Sequence, residues 1–155
     1  MGLFDFLKSK RIKFEHPYFG TIHFQKMKNS KNGGFFEGKK HFRPLNCEFD
    51  ILIDCPETGP SNEYITFFEE LEKNYSVLIK EISKKIQSDF FDNFDNRKIV
   101  IKEFGREFTL ENISLPNLFE TPYSWSLTYT SVHDENHFFE VFFKDWEIYD
   151  VMIDG

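Results

Sequence analysis

The stretch SNEYITFFEELEKNYSVLIKEISKKI, residues 61–86, decides the fold. Within it Tyr64, Phe68, Leu71, Tyr75, Leu78, Ile82 and Ile86 recur at intervals of three and four, and Ile65 and Ile79 widen the stripe. Glu63, Thr66, Glu70, Lys73, Lys80, Glu81 and Lys84 fall on the other side. This spacing predicts one long amphipathic helix over Ser61–Ile86 with a face to bury. Pro60-Ser61 marks its start, because a serine oxygen can accept from an orphan N–H of the first turn and Glu63 sits near the positive end of the helix dipole.

The flanking segments read as strands. Ile22 and Phe24 alternate with Thr21, His23 and Gln25, so Phe19 to Met27 is extended, and Asn32-Gly33 is the dipeptide of a type I′ hairpin turn leading into Phe35 to Phe42. Cys47, Phe49, Ile51, Ile53 and Cys55 alternate with Glu48, Asp50, Leu52 and Asp54, which describes a strand with one face buried and one wet. Past Ile86 the run Asp92, Asn93, Asp95, Asn96 favours a turn, and Lys98 to Glu103 reads as a short strand. Residues 104–119 support either a short helix beginning near Thr109 or a hairpin turning at Gly105. Trp125, Leu127 and Tyr129 mark another strand, His133 to Asn136 a turn, and Trp146 to Ile153 a final strand after a tight turn at Lys144-Asp145. In His137 to Lys144, Phe139, Val141 and Phe143 line one face while Phe138 and Phe142 flank Glu140 on the other. A strand apolar on both faces needs cover on both. The expected architecture is α+β: one domain spanning residues 1–155, an antiparallel sheet of about six strands, and the long helix packed across one face. Residues 2–8 read as either a short helical turn or a fraying end.

The net charge of −7 conceals a gradient. Residues 1–46 carry ten Lys/Arg and three Asp/Glu, residues 47–130 eight and sixteen, and residues 131–155 one and seven. An acidic chain with pI near 5.2 is poorly suited to neutralising phosphates, which argues against nucleic acid as the partner despite Lys8, Lys10, Arg11, Lys13, Lys26, Lys28, Lys31, Lys39 and Lys40. No segment has the ~18 consecutive apolar residues of a membrane span, and the amino terminus lacks a signal-peptide pattern. Cys47 and Cys55, ~26 Å apart if the strand between them is extended, cannot bond to each other, so a reducing, cytoplasmic setting is expected.

Chemistry-bearing motifs are sparse. No phosphate-binding glycine loop, nucleophile elbow or His-Glu-x-x-His is present. His133 and His137, with Asp134 and Glu135 between them, are the metal-like grouping, but they straddle a turn, where convergence on one ion is not assured. They define an alternative reading as a small metal-binding or hydrolytic enzyme; a self-associating domain, as a homodimer, is a third. The main reading has no cofactor, no metal and no catalytic residue. It rests on a denser set: Asp134, Glu135, Glu140, Asp145, Glu147, Asp150 and Asp154 surround Trp146 and Tyr149. Carboxylates around aromatic anchors suit a surface that captures a basic protein, charge raising the encounter rate and aromatics supplying buried contact.

The run His16-Pro-Tyr-Phe-Gly-Thr-Ile-His-Phe, the phrase Phe36-Glu-Gly, the strand Cys47 to Cys55, the long helix and the closing pair Val141 to Gly155 resemble small bacterial domains of unknown function. Some such domains lie beside polymorphic toxins and are taken for immunity proteins. The resemblance implies a non-enzymatic protein that occludes the active surface of a basic toxin or effector. It implies no catalytic residue.

Overall fold

A computed structural model describes residues 11–93 and 97–154, with the side chain of Asn93 left out. The helical turn expected at residues 2–8 lies outside them. The α+β class holds, but the sheet has eight strands where the sequence suggested about six. They are β1 (Ile12–His16), β2 (Gly20–Lys26), β3 (Gly34–Phe42), β4 (Cys47–Ile53), β5 (Phe108–Leu115), β6 (Ser124–Ser131), β7 (Asp134–Lys144) and β8 (Glu147–Asp154). Helix α1 runs Asn62–Asn93, and the single turn α2, Phe104–Glu107, precedes β5.

Strands follow one another across the sheet in chain order. Every neighbouring pair is antiparallel except β4 and β5, which are parallel. Two four-strand meanders are therefore joined edge to edge through α1, because parallel strands need a long crossover and here the helix supplies it. That parallel pair corrects the expectation of a purely antiparallel sheet.

The helix buries the stripe that its spacing specifies. Tyr64, Phe68, Leu71, Tyr75, Ile82 and Ile86 are buried, while Leu78, Ile65 and Ile79 pack at the margin. It continues past Ile86 because Phe90, one further turn along, is also buried and stacks on Phe139 at 6.1 Å. Phe68 stacks on Phe49 of β4 at 6.0 Å, so the Phe49/Ile51/Ile53 face is the one the helix covers. His16 ties β1 to the start of α1: its Nδ1 accepts from the N–H groups of Tyr18 and Phe19, and its Nε2 lies 3.0 Å from the Pro60 carbonyl.

Several local expectations change. Residues 27–33 form a wider loop in which Met27 N–H donates to Gly33 O and Gly33 N–H to Ser30 O. Gly33 has φ +76° but Asn32 keeps negative φ, so this is not a type I′ turn. Residues 98–103 form no strand. The β6–β7 hairpin turns at Val132-His133, not over His133 to Asn136 as expected: Asp134 already pairs with Ser131, and Asp134 to Asn136 belong to β7.

Candidate partner-binding surface

Of the nine residues singled out in the sequence, eight fall in three places, and the ninth, Glu147, is exposed at the start of β8 opposite Lys144. At one end of β7, the Asp134 carboxylate accepts from the Asn136 N–H at 3.2 Å and meets His137 Nδ1 at 2.9 Å. His137 and that N–H hold Asp134 below its ordinary carboxylate range against the pull of desolvation. Its side chain is only 8% exposed, so Asp134 serves the hairpin, and Glu135 beside it is exposed.

At the other end lies the turn joining β7 to β8. Asp145 adopts left-handed backbone, φ +50°; its carboxylate accepts from the Tyr123 N–H at 3.3 Å, and its carbonyl accepts from Trp125 Nε1. Trp146 points toward α1, stacked on Phe67 at 4.9 Å and edge-on to Trp125 at 5.3 Å. The sequence pairs Trp146 with Tyr149 as anchors of one surface, whereas the structure puts them on opposite sides of the sheet. Strand alternation alone separates them, since they are three residues apart. A bulge then resets the faces: Phe143 pairs with Ile148 and Phe142 with Asp150, so Tyr149 is extra and the alternation beyond it changes phase. Ile148, Val151 and Ile153 then face the helix, and Tyr149, Asp150 and Met152 face outward.

The third place is the outer face of β7 and β8, where Glu140, Tyr149, Asp150 and Asp154 do come together. Cross-strand pairs Phe138 with Asp154, Glu140 with Met152 and Phe142 with Asp150 alternate apolar and acidic across the hairpin. Phe138, Tyr149 and Met152 are 52%, 46% and 44% exposed, a concentration of large apolar side chains in water that the core does not require. Phe142 lies 6.0 Å from Tyr149, and Lys144 Nζ sits 4.8 Å over the Tyr149 ring. Glu140 accepts from Ser126 Oγ at 2.7 Å, which fixes its position on the face. The apolar members Phe138, Phe142 and Met152 were not among the candidate site residues. The doubly apolar pattern of His137 to Lys144 was the signal for Phe138 and Phe142.

His133 and His137 do not converge. His133 Nε2 meets Glu107 at 2.7 Å, while His137 takes Asp134. Desolvation opposes ionisation of Glu107, but the N–H groups of Glu103 and Lys102 together with His133 outweigh it and hold the carboxyl below its ordinary range. Among the described residues no three His, Cys, Asp or Glu side chains come together in a way that could hold a metal ion. Four of the basic amino-terminal residues pair with carboxylates: Arg11 with Glu37, Lys13 with Glu15, Lys31 with Glu120 and Lys39 with Asp50. Lys40 bonds the Tyr18 carbonyl and lies 4.0 Å over its ring. Among the described residues no helix is long and apolar enough to cross a membrane.

No family model, curated protein or solved structure matches this chain. The functional reading is carried by the surface itself.

Proposed function

We propose that this chain is a cytoplasmic immunity-type protein that neutralises a cognate basic toxin by covering its active surface with the outer face of β7 and β8. The observation that carries the reading is the alternation of outward-facing apolar and acidic side chains across one hairpin, Phe138, Phe142, Tyr149 and Met152 among Glu140, Asp150 and Asp154, with Phe138, Tyr149 and Met152 exposed. Long-range attraction between carboxylates and a basic partner raises the association rate, and the aromatic side chains hold the complex once water is expelled. The action is steric and electrostatic, so it needs no catalytic group. The acidic partner surface is narrower than the nine-residue set: Trp146, Asp134 and Asp145 support the hairpin, while Glu140, Tyr149, Asp150 and Asp154 present it.

The test co-expresses the product of the neighbouring coding sequence with the parent chain and with Phe138→Ser/Tyr149→Ser. The parent restores growth, and the double variant, with an unchanged unfolding midpoint, does not. Equal protection by both chains would reject this surface, and a neighbouring product harmless on its own would remove the reading altogether.

A further inference from the structure

We infer that the partner supplies a ninth strand to the sheet, paired to β8, with basic side chains on the outer face and apolar side chains turned toward α1. This deepens the partner-binding reading and rests on it.

β8 has β7 on one side and, among the described residues, no strand on the other. An eight-residue edge offers a row of backbone N–H and C=O groups to an incoming extended segment. The opposite edge, β1, is guarded: it has five residues and carries Lys13, with Arg11 just before it. β8 has neither lysine nor proline, and its bulge at Tyr149 is the one irregularity.

What lies on each side of this edge prescribes the incoming sequence. On the helix side a groove of about 570 Å³ opens between α1 and the start of β8. Leu78, Trp146 and Ile148 give it an apolar floor, and its charged rim is balanced: Glu147 and Glu81 lie beside Lys84 and Lys85, with Lys84 paired to Glu81 and Lys85 to Asp89. An inward-facing side chain of an added strand would meet this apolar floor, which favours a hydrocarbon. On the outer side the neighbours are Tyr149, Asp150, Met152 and Asp154, which favour Lys or Arg, and Lys144 over the Tyr149 ring shows that this ring accepts a cation. Strand geometry sends successive side chains to opposite faces, so the two environments together select an alternating basic/apolar segment. A second copy pairing β8 against β8 would bring Glu147, Asp150 and Asp154 against acidic counterparts, which disfavours a symmetric dimer there.

The test titrates the full chain with a synthetic heptapeptide of alternating Lys and Val and with a peptide of the same composition in block order. The alternating peptide should bind about tenfold more tightly, shift the amides of Glu147–Asp154 and the Trp146 indole, and lose binding when every second amide is N-methylated. Asp150→Lys/Asp154→Lys should weaken it about tenfold and flatten its salt dependence. Equal binding of the block-order or methylated peptide, absence of binding, or shifts centred elsewhere would overturn strand addition. Sedimentation of the chain alone as oligomers that Asp150→Lys disperses would also overturn it, making the occupant a second copy. Growth protection that depends on Phe138 and Tyr149 alongside a failed peptide test rejects the ninth strand and leaves the immunity reading standing. A successful peptide test without protection does the reverse.

Discussion

The hydroxyls of Tyr75 on α1 and Tyr129 on β6 meet at 3.0 Å inside the core, where neither ring has more than 2% exposure. Each is the other's polar partner in an apolar surround, and burial raises the pKa of both phenols. Tyr129→Phe therefore strands a buried hydroxyl and should cost about 1–3 kcal/mol. Tyr75→Phe/Tyr129→Phe removes both polar groups and should cost less than the sum of the single changes. Urea unfolding of the four chains closes the cycle; strict additivity would mean that the two hydroxyls are not coupled.

The orientation of α1 has an equally direct test. Leu71 and Ile82 are wholly buried against the sheet, so each changed to Ala should lose about 2–5 kcal/mol through lost burial and the cavity left behind. Lys84, 73% exposed at its side chain, should tolerate Ala almost without effect. Similar losses for all three would mean that the helix turns another face to the sheet.

Acid sensitivity should trace to the loop and hairpin end where Glu107 and Asp134 sit. Both carboxyls titrate below their ordinary values of 4.5 and 3.8 in the folded chain. A folded-state pKa below the unfolded one contributes stability that is complete above the unfolded value and is lost as pH falls through the folded value. Glu107→Gln should accordingly shrink the loss of stability between neutral pH and the region below 4.5, measured as unfolding midpoints against pH. An unchanged acid limb would place the sensitivity elsewhere.

How much of this was legible depended on whether alternation survived intact. α1 and β4 could be read because Phe68, Leu71 and Ile82, and Phe49, Ile51 and Ile53, keep a constant period. β5 could not, because pairing slips between Leu110 and Asn112; the extra Glu111 moves the buried set from Phe108 and Leu110 to Ile113 and Leu115. The same device at Tyr149 brings Asp150, Met152 and Asp154 onto its face, where unbroken alternation would have left them beside Trp146 and Ile148. β1 was missed because Ile12 and Phe14 alternate with Arg11, Lys13 and Glu15 and read as part of a basic tail. The parallel β4–β5 pairing is a long-range relation that leaves no local pattern.

The two cysteines should differ sharply in reactivity. Burial pushes the Cys55 thiol up to about 12, whereas Cys47, also raised by desolvation, is half-exposed at the start of β4. Because the thiolate is the reactive form, a small thiol reagent near pH 8 should label Cys47 first and reach Cys55 only at the rate at which the fold opens. Mass spectrometry of the labelled peptides resolves the two, and comparable rates would show that the Cys55 region opens locally.

Trp146 and Tyr149, three residues apart, should separate stability from binding. Trp146 stacks on Phe67 and abuts Trp125, so Trp146→Ala should lower folding stability by about 2–4 kcal/mol, toward or below the lower end of the range for aromatic truncation because the ring is only partly buried. Tyr149 is 46% exposed and sits at a bulge, so Tyr149→Ala should leave the unfolding midpoint nearly unchanged. In the complex the order should invert, since an exposed aromatic that becomes buried on association carries its energy in the bound state alone. Chemical denaturation of both variants, followed by dissociation kinetics from a captured partner, measures the two effects independently. A destabilised Tyr149→Ala chain would show that this ring supports the fold, and the outer face would then lose its central anchor.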